Sequence, residues 1–108
     1  MFRIIELAID DIVWDPAGCS AVVTEACAGR NRRCWTVTGA VTEDAALLVL
    51  LAELPAGQEP AEYRFAPLSE RNGDILVAEL KRRYYAGFDT VGAFGYGDEL
   101  WALFRRAR

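Results

Sequence analysis

The side chains in this chain with types suited to chemistry are three cysteines, three pairs of adjacent acids and a scatter of aromatics with polar handles. There is no histidine. Without an imidazole, the Ser-His-Asp and Cys-His routes and the histidine-containing zinc sites are closed. Acid–base work would fall to carboxylates or tyrosines. The acid pairs are Asp10-Asp11, Glu43-Asp44 and Asp98-Glu99. Sequence neighbours on a strand point to opposite faces, so these pairs read as solvated turns before they read as dyads. Cys19, Cys27 and Cys34 are odd in number and make no disulfide framework. On a helix, the first two would stand about 12 Å apart, too far to bridge. Their spacing matches no zinc pattern, and buried, inert thiols are the expectation. No catalytic residue, metal ligand or cofactor is expected. The alternative is a small enzyme using a carboxylate or Cys34.

Two further sets are weighed against ordinary structural roles. Gly92, Gly95 and Gly97 superficially suggest a phosphate loop, but the dinucleotide fingerprint needs glycines opening a helix. A hairpin turn fits them better. The basic residues gather at Arg30, Arg32 and Arg33, at Lys81, Arg82 and Arg83, and at Arg105, Arg106 and Arg108. Each group follows or closes an expected element, where cations complement a helix dipole or solvate an edge. An anion site at Arg30, Arg32 and Arg33 is the rival reading. A net charge of −4 argues against nucleic acid as a partner. The aromatics hold the most functional promise. Trp35, Tyr84, Tyr85, Tyr96 and Trp101 are the candidate ligand-binding residues, because rings with polar tips suit pockets and interfaces. Tyr84 and Tyr85 cannot both face inward on one helix.

The elements that would position these residues are clearest in the last third. Asn72 is a good helix cap, Asp74 precedes Lys81, Arg82 and Arg83 in dipole order, and Ile75, Leu76, Leu80 and Tyr84 share a face. Gly87 supplies a left-handed stop. Thr90 to Phe94 then reads as a strand, Gly95 to Asp98 as a turn, and Leu100 to Arg106 as a returning strand, with a terminal helix as rival. Earlier, Phe2 to Ile9 reads as a strand, and Asp10 to Trp14 has no assignment. Asp15-Pro16 opens a helix through Cys19, Val22, Val23, Ala26 and Cys27 to Gly29, and Arg33 to Val41 is a strand. The leucine tract from Leu47 to Leu54 fits a helix capped by Thr42 or a buried strand equally well. Pro55 to Pro60 is a linker, and Tyr63 to Leu68 is a short strand.

An internal repeat decides the leucine tract. Gly39-Ala40-Val41 matches Gly92-Ala93-Phe94, and the same shift carries Leu47 to Leu100, Leu50 to Leu103 and Leu51 to Phe104. Phe2-Arg3-Ile4 answers Tyr63-Arg64-Phe65, and Gly29 answers Gly87. The expected fold is therefore α+β in one domain. Two strand–helix–strand–strand repeats, 1–54 and 61–108, are joined by a linker at 55–60. In each, parallel outer strands flank a returning central one, which gives a mostly antiparallel sheet with two helices on one face. The alternative is an α/β chain with additional helices at 43–54 and 98–107.

The segments FRIIELAI, YRFAPL, GFDTVGAF and LWALFRR resemble small bacterial strand-helix-strand-strand domains of unknown function. In tandem they are more distantly similar to the gyrase-inhibitor-like ligand-binding domains. That resemblance implies a groove between repeats that takes small organic molecules. The residues themselves point to a non-enzymatic module that binds a small apolar ligand or a protein. With 53% hydrophobic residues, the uncovered sheet face is expected to be buried against a second copy. No run approaches the roughly 18 apolar residues of a membrane span. MFRIIELAID does not read as a signal peptide, so a cytoplasmic address and no membrane partner are expected.

Overall fold

The computed structural model describes residues 1–68 and 72–107. Its elements are β1 (Phe2–Ala8), α1 (Ile9–Trp14), α2 (Pro16–Ala28), β2 (Trp35–Glu43), β3 (Ala46–Glu53), β4 (Glu62–Leu68), α3 (Gly73–Tyr85), β5 (Phe88–Tyr96) and β6 (Glu99–Arg106). Local chemistry explains most of the boundaries. Asp15 accepts a hydrogen bond from the Gly18 N–H at 3.0 Å with Pro16 at the first helical position. Asn72 accepts from the N–H groups of Asp74 and Ile75. Gly87 closes α3 at φ +97°. The unassigned stretch after β1 is the short helix α1.

The α+β class and the two strand–helix–strand–strand units are as expected. The additional helices considered at 43–54 and 98–107 do not form. Both tracts are central strands, and that is why they look apolar throughout. Leu47, Val49 and Leu51 enter the main core from one face of β3. In β6 both faces are covered, Trp101 and Leu103 by the main core and Ala102 and Phe104 by a second cluster under α3.

The strands pair as β1-β3-β2 and β4-β6-β5, two three-stranded antiparallel sheets and not one of six. One constant shift carries Trp35–Glu43 onto Phe88–Tyr96 and Ala46–Glu53 onto Glu99–Arg106. The register breaks at the corresponding place in each hairpin, between Val37 and Gly39 and between Thr90 and Gly92. The units are nonetheless stacked front to back. The helix-side core of the first unit (Val23, Cys27, Trp35, Val37, Leu51) is continuous with Tyr63, Phe65, Phe94, Trp101 and Leu103 of the second. Those five answer Phe2, Ile4, Val41, Leu48 and Leu50, which lie on the uncovered face of the first sheet. The helices consequently occupy opposite faces of the second sheet, with α2 in the shared core and α3 outside.

Backbone groups explain why the sheets separate. The Cys34 C=O accepts from the Leu54 N–H, so by alternation Val37 turns its N–H and C=O away from β3. The Val37 N–H donates to the buried Tyr63 hydroxyl at 2.9 Å, and its C=O accepts from Arg105 Nη1 at 3.5 Å. Tyr63 and Arg105 are themselves a cross-strand pair. In return, α2 satisfies the edge of β4. The Thr24 hydroxyl accepts from the Tyr63 N–H at 2.9 Å and donates to its C=O, and the Ser20 hydroxyl accepts from the Phe65 N–H at 2.8 Å. Side chains therefore stand where a joining strand would have paired. β2 and β5 still approach closely, since a Cβ added to Gly92 would lie 2.8 Å from the Ala40 Cβ.

Tyr63→Phe strands the buried Val37 N–H and is expected to cost about 1–3 kcal/mol in urea unfolding. A loss under a few tenths would show that the clamp is dispensable. Gly92→Ala is expected to destabilise by about 1–3 kcal/mol through overpacking. Adding Ala40→Gly should return most of that loss, a coupling read from a double-mutant cycle.

Candidate functional site

An open cleft of 720 Å³ lies between β1, the end of α2 and the start of β2, lined by Arg3, Val22, Glu25, Ala26, Gly29, Arg30, Arg33 and Trp35. Its shape depends on the reversal after α2. Asn31 and Arg32 take φ +56° and +66°, and the Arg33 N–H donates to the Arg30 C=O at 3.1 Å. Two left-handed residues inside such a bond make a tight hairpin turn of the primed kind. Gly29 precedes it at φ +69°, where a Cβ would sit 1.7 Å from the Arg33 carbonyl oxygen. Only glycine fits there. The turn sets Arg30 and Arg33 side by side on the cleft and leaves Arg32 out of its lining.

Arg3 joins them from β1, its guanidinium 5.3 Å above the Trp35 ring. A cation over an indole face is attracted by the ring quadrupole. Arg33 Nε lies 3.8 Å from Glu53 Oε1 in an exposed pair that holds the side chain only weakly. Three guanidiniums thus border the cleft, with Glu25 in its lining and Glu53 beside Arg33 as the facing carboxylates. The rest of the wall is apolar.

The candidate aromatics do not converge. Trp35 is buried in the cleft wall. Trp101 is buried in the core, stacked on Phe94 at 6.3 Å, and its indole N–H donates to Glu99 at 2.9 Å. Tyr84 and Tyr85 meet edge to face at 5.9 Å on the outside of α3 and line a small groove with Val77 and Leu80. Tyr96 sits beside the β5–β6 turn. Its phenol is pushed above the ordinary range first by its hydrogen bond to Asp10, then by the charge of that carboxylate. Arg3 was missed by sequence reasoning. Its signal was an arginine alternating with Ile5 and Leu7 on one strand face. A second cleft runs between the repeats along α2 and β4, but the Ser20 and Thr24 hydroxyls at its base are already bonded to the β4 backbone.

Among the described residues no cluster of Cys, Asp and Glu could hold a metal ion. All three cysteines are free. Burial pushes the Cys27 thiol up to about 11, and burial with the charges of Asp11 and Asp15 raises Cys19. Both therefore stay protonated at neutral pH and are poor nucleophiles. Half-buried Cys34 donates its S–H to the Ala28 carbonyl at 3.5 Å. Native-state iodoacetamide labelling followed by peptide mass analysis should modify Cys34 at least tenfold faster than Cys19 or Cys27. Fast labelling of Cys27 would contradict its burial.

No protein-family model matches the chain, and neither does any curated protein or solved structure. No helix among the described residues is long and apolar enough to cross a membrane.

Proposed function

We propose that the chain is a non-catalytic module that binds a small organic anion in the cleft of Arg3, Arg30, Arg33 and Trp35. One observation carries this reading. In a chain of net charge −4, three guanidiniums gather on one concave surface, outnumbering the two carboxylates beside them, Glu25 in the lining and Glu53 next to Arg33. Guanidinium groups recognise carboxylates and phosphates through paired N–H donors. Val22, Ala26 and the rim of Trp35 give the apolar part of a ligand somewhere to lie. The preferred class is a compact carboxylate or phosphate with a planar apolar portion. Three free thiols suit a reducing compartment such as the cytoplasm.

Catalysis by Cys34 is the weaker reading, because its S–H is engaged by the Ala28 carbonyl. A groove between repeats, as in the gyrase-inhibitor-like domains, would use the cleft between α2 and β4. There the hydroxyls are already engaged.

Isothermal titration with inorganic phosphate and with benzoate tests the proposal. Benzoate should bind more tightly than phosphate, and both should weaken as salt is raised from 50 to about 300 mM. Arg30→Ala, on an exposed turn, should weaken binding about tenfold or more with the melting temperature unchanged. No heat with either anion at millimolar concentration, or full affinity in Arg30→Ala, would remove the proposal.

A further inference from the structure

The first sheet has an edge that nothing among the described residues completes. β1 pairs with β3 on one side only. The Glu53 N–H donates to the Met1 C=O and the Ile9 N–H to the Ala45 C=O, so odd-numbered residues of β1 face inward. By alternation, Phe2, Ile4 and Glu6 turn their N–H and C=O groups outward. Their side chains are open as well, with Phe2 79% and Ile4 61% exposed. A bare edge of this kind is a template for another strand.

The second unit shows what such an edge requires. Phe2, Ile4 and Glu6 answer Tyr63, Phe65 and Pro67 of β4, matched through equivalent partners on β3 and β6. There Thr24 and Ser20 of α2 supply acceptors for two N–H groups, and proline has none to satisfy. The first unit has no such provision. Its edge has no proline, and the other helix carries the wrong chemistry. α2 and α3 have equal length, and aligning Pro16 with Gly73 sets Ser20 opposite Val77 and Thr24 opposite Lys81. Valine accepts nothing and lysine only donates. A neighbouring molecule's α3 therefore cannot close this edge as α2 closes β4.

A second β1 can, because an antiparallel strand offers donors and acceptors in alternation. We propose that two copies of the chain pair through their β1 edges about a two-fold axis at Ile4. In this register Ile4 exchanges both backbone bonds with its twin, Phe2 and Glu6 exchange bonds in both directions, and Arg3 faces Ile5. No like charges oppose each other. Registers centred on Arg3 or Glu6 would place like charges directly opposite. The two sheets become one of six strands, with Ile4 packed on its twin amid Phe2, Val41, Leu48 and Leu50 of both copies. Arg3 stays on the other face, beside the twin's Ile5.

Light scattering of the full chain over a dilution series tests this. The unmodified chain is expected at twice the mass of a single copy in the micromolar range. Glu6→Pro copies the residue that β4 tolerates at the equivalent position, so the fold should persist while the outward N–H is lost. The mass should halve with unchanged circular dichroism. Ile4→Lys and Ile4→Glu should each be monomeric alone and form a mixed dimer when combined, since position 4 meets itself. A monomeric unmodified chain at hundreds of micromolar would overturn the proposal. So would a dimeric Glu6→Pro variant, or failure of the two charged variants to associate.

Discussion

The amide and carbonyl of Val37, held by Tyr63 and Arg105, are the joint on which the molecule turns. A buried backbone pair must find partners. Here they come from two side chains that are cross-strand neighbours in the other half of the chain. Arg105 is anchored in turn by Asp89 at 2.8 Å and by the Thr36 hydroxyl. Tyr63 also ties down the Thr24 hydroxyl through its own backbone. A single tyrosine thus links β4, β2 and α2. The thiol of Cys27 packs in the same cluster, and burial keeps it protonated.

This joint explains why two units of one plan occupy such different surroundings. Tyr63 is 2% exposed, whereas Phe2 at the matching place is 79% exposed. Phe65 and Ile4 differ in the same sense. The second unit lays its open face on the helix side of the first, so the relation between them is directional and has two unlike ends. One end is the bare sheet of Phe2, Ile4 and Val41. The other is the outer surface of α3 with Tyr84 and Tyr85. Directional packing of like parts leaves unmatched ends unless it closes into a ring, and two stacked units do not close.

Much of this plan was legible. The caps at Asp15 and Asn72, the glycine stops and the shift from Gly39-Ala40-Val41 to Gly92-Ala93-Phe94 are local features, and each corresponds to a boundary or a bulge in the structure. The repeat decided the leucine tract, which periodicity alone could not. The stacking was not legible. One sheet with both helices on one face satisfies the same pattern, and the choice rests on contacts such as Tyr63 with Val37, 26 residues apart. For the candidate site, Trp35 and the arginine turn were visible in outline. The role of Arg3 was hidden because a strand residue's neighbours come from elsewhere in the chain. Trp101, conspicuous in sequence, is a core ring.

The long reach of the joint has a consequence for the order in which the molecule can be made. Val37 and Arg105 are 68 residues apart. On a ribosome, the first sheet and α2 are complete while the groups that clamp them have yet to be synthesised. Tyr63 follows Val37 by only 26 residues, so β4 can meet the flank of α2 and the Val37 N–H while Arg105 is still to come. The joint can therefore be made in chain order, its amide side once β4 has emerged and its carbonyl side only with β6.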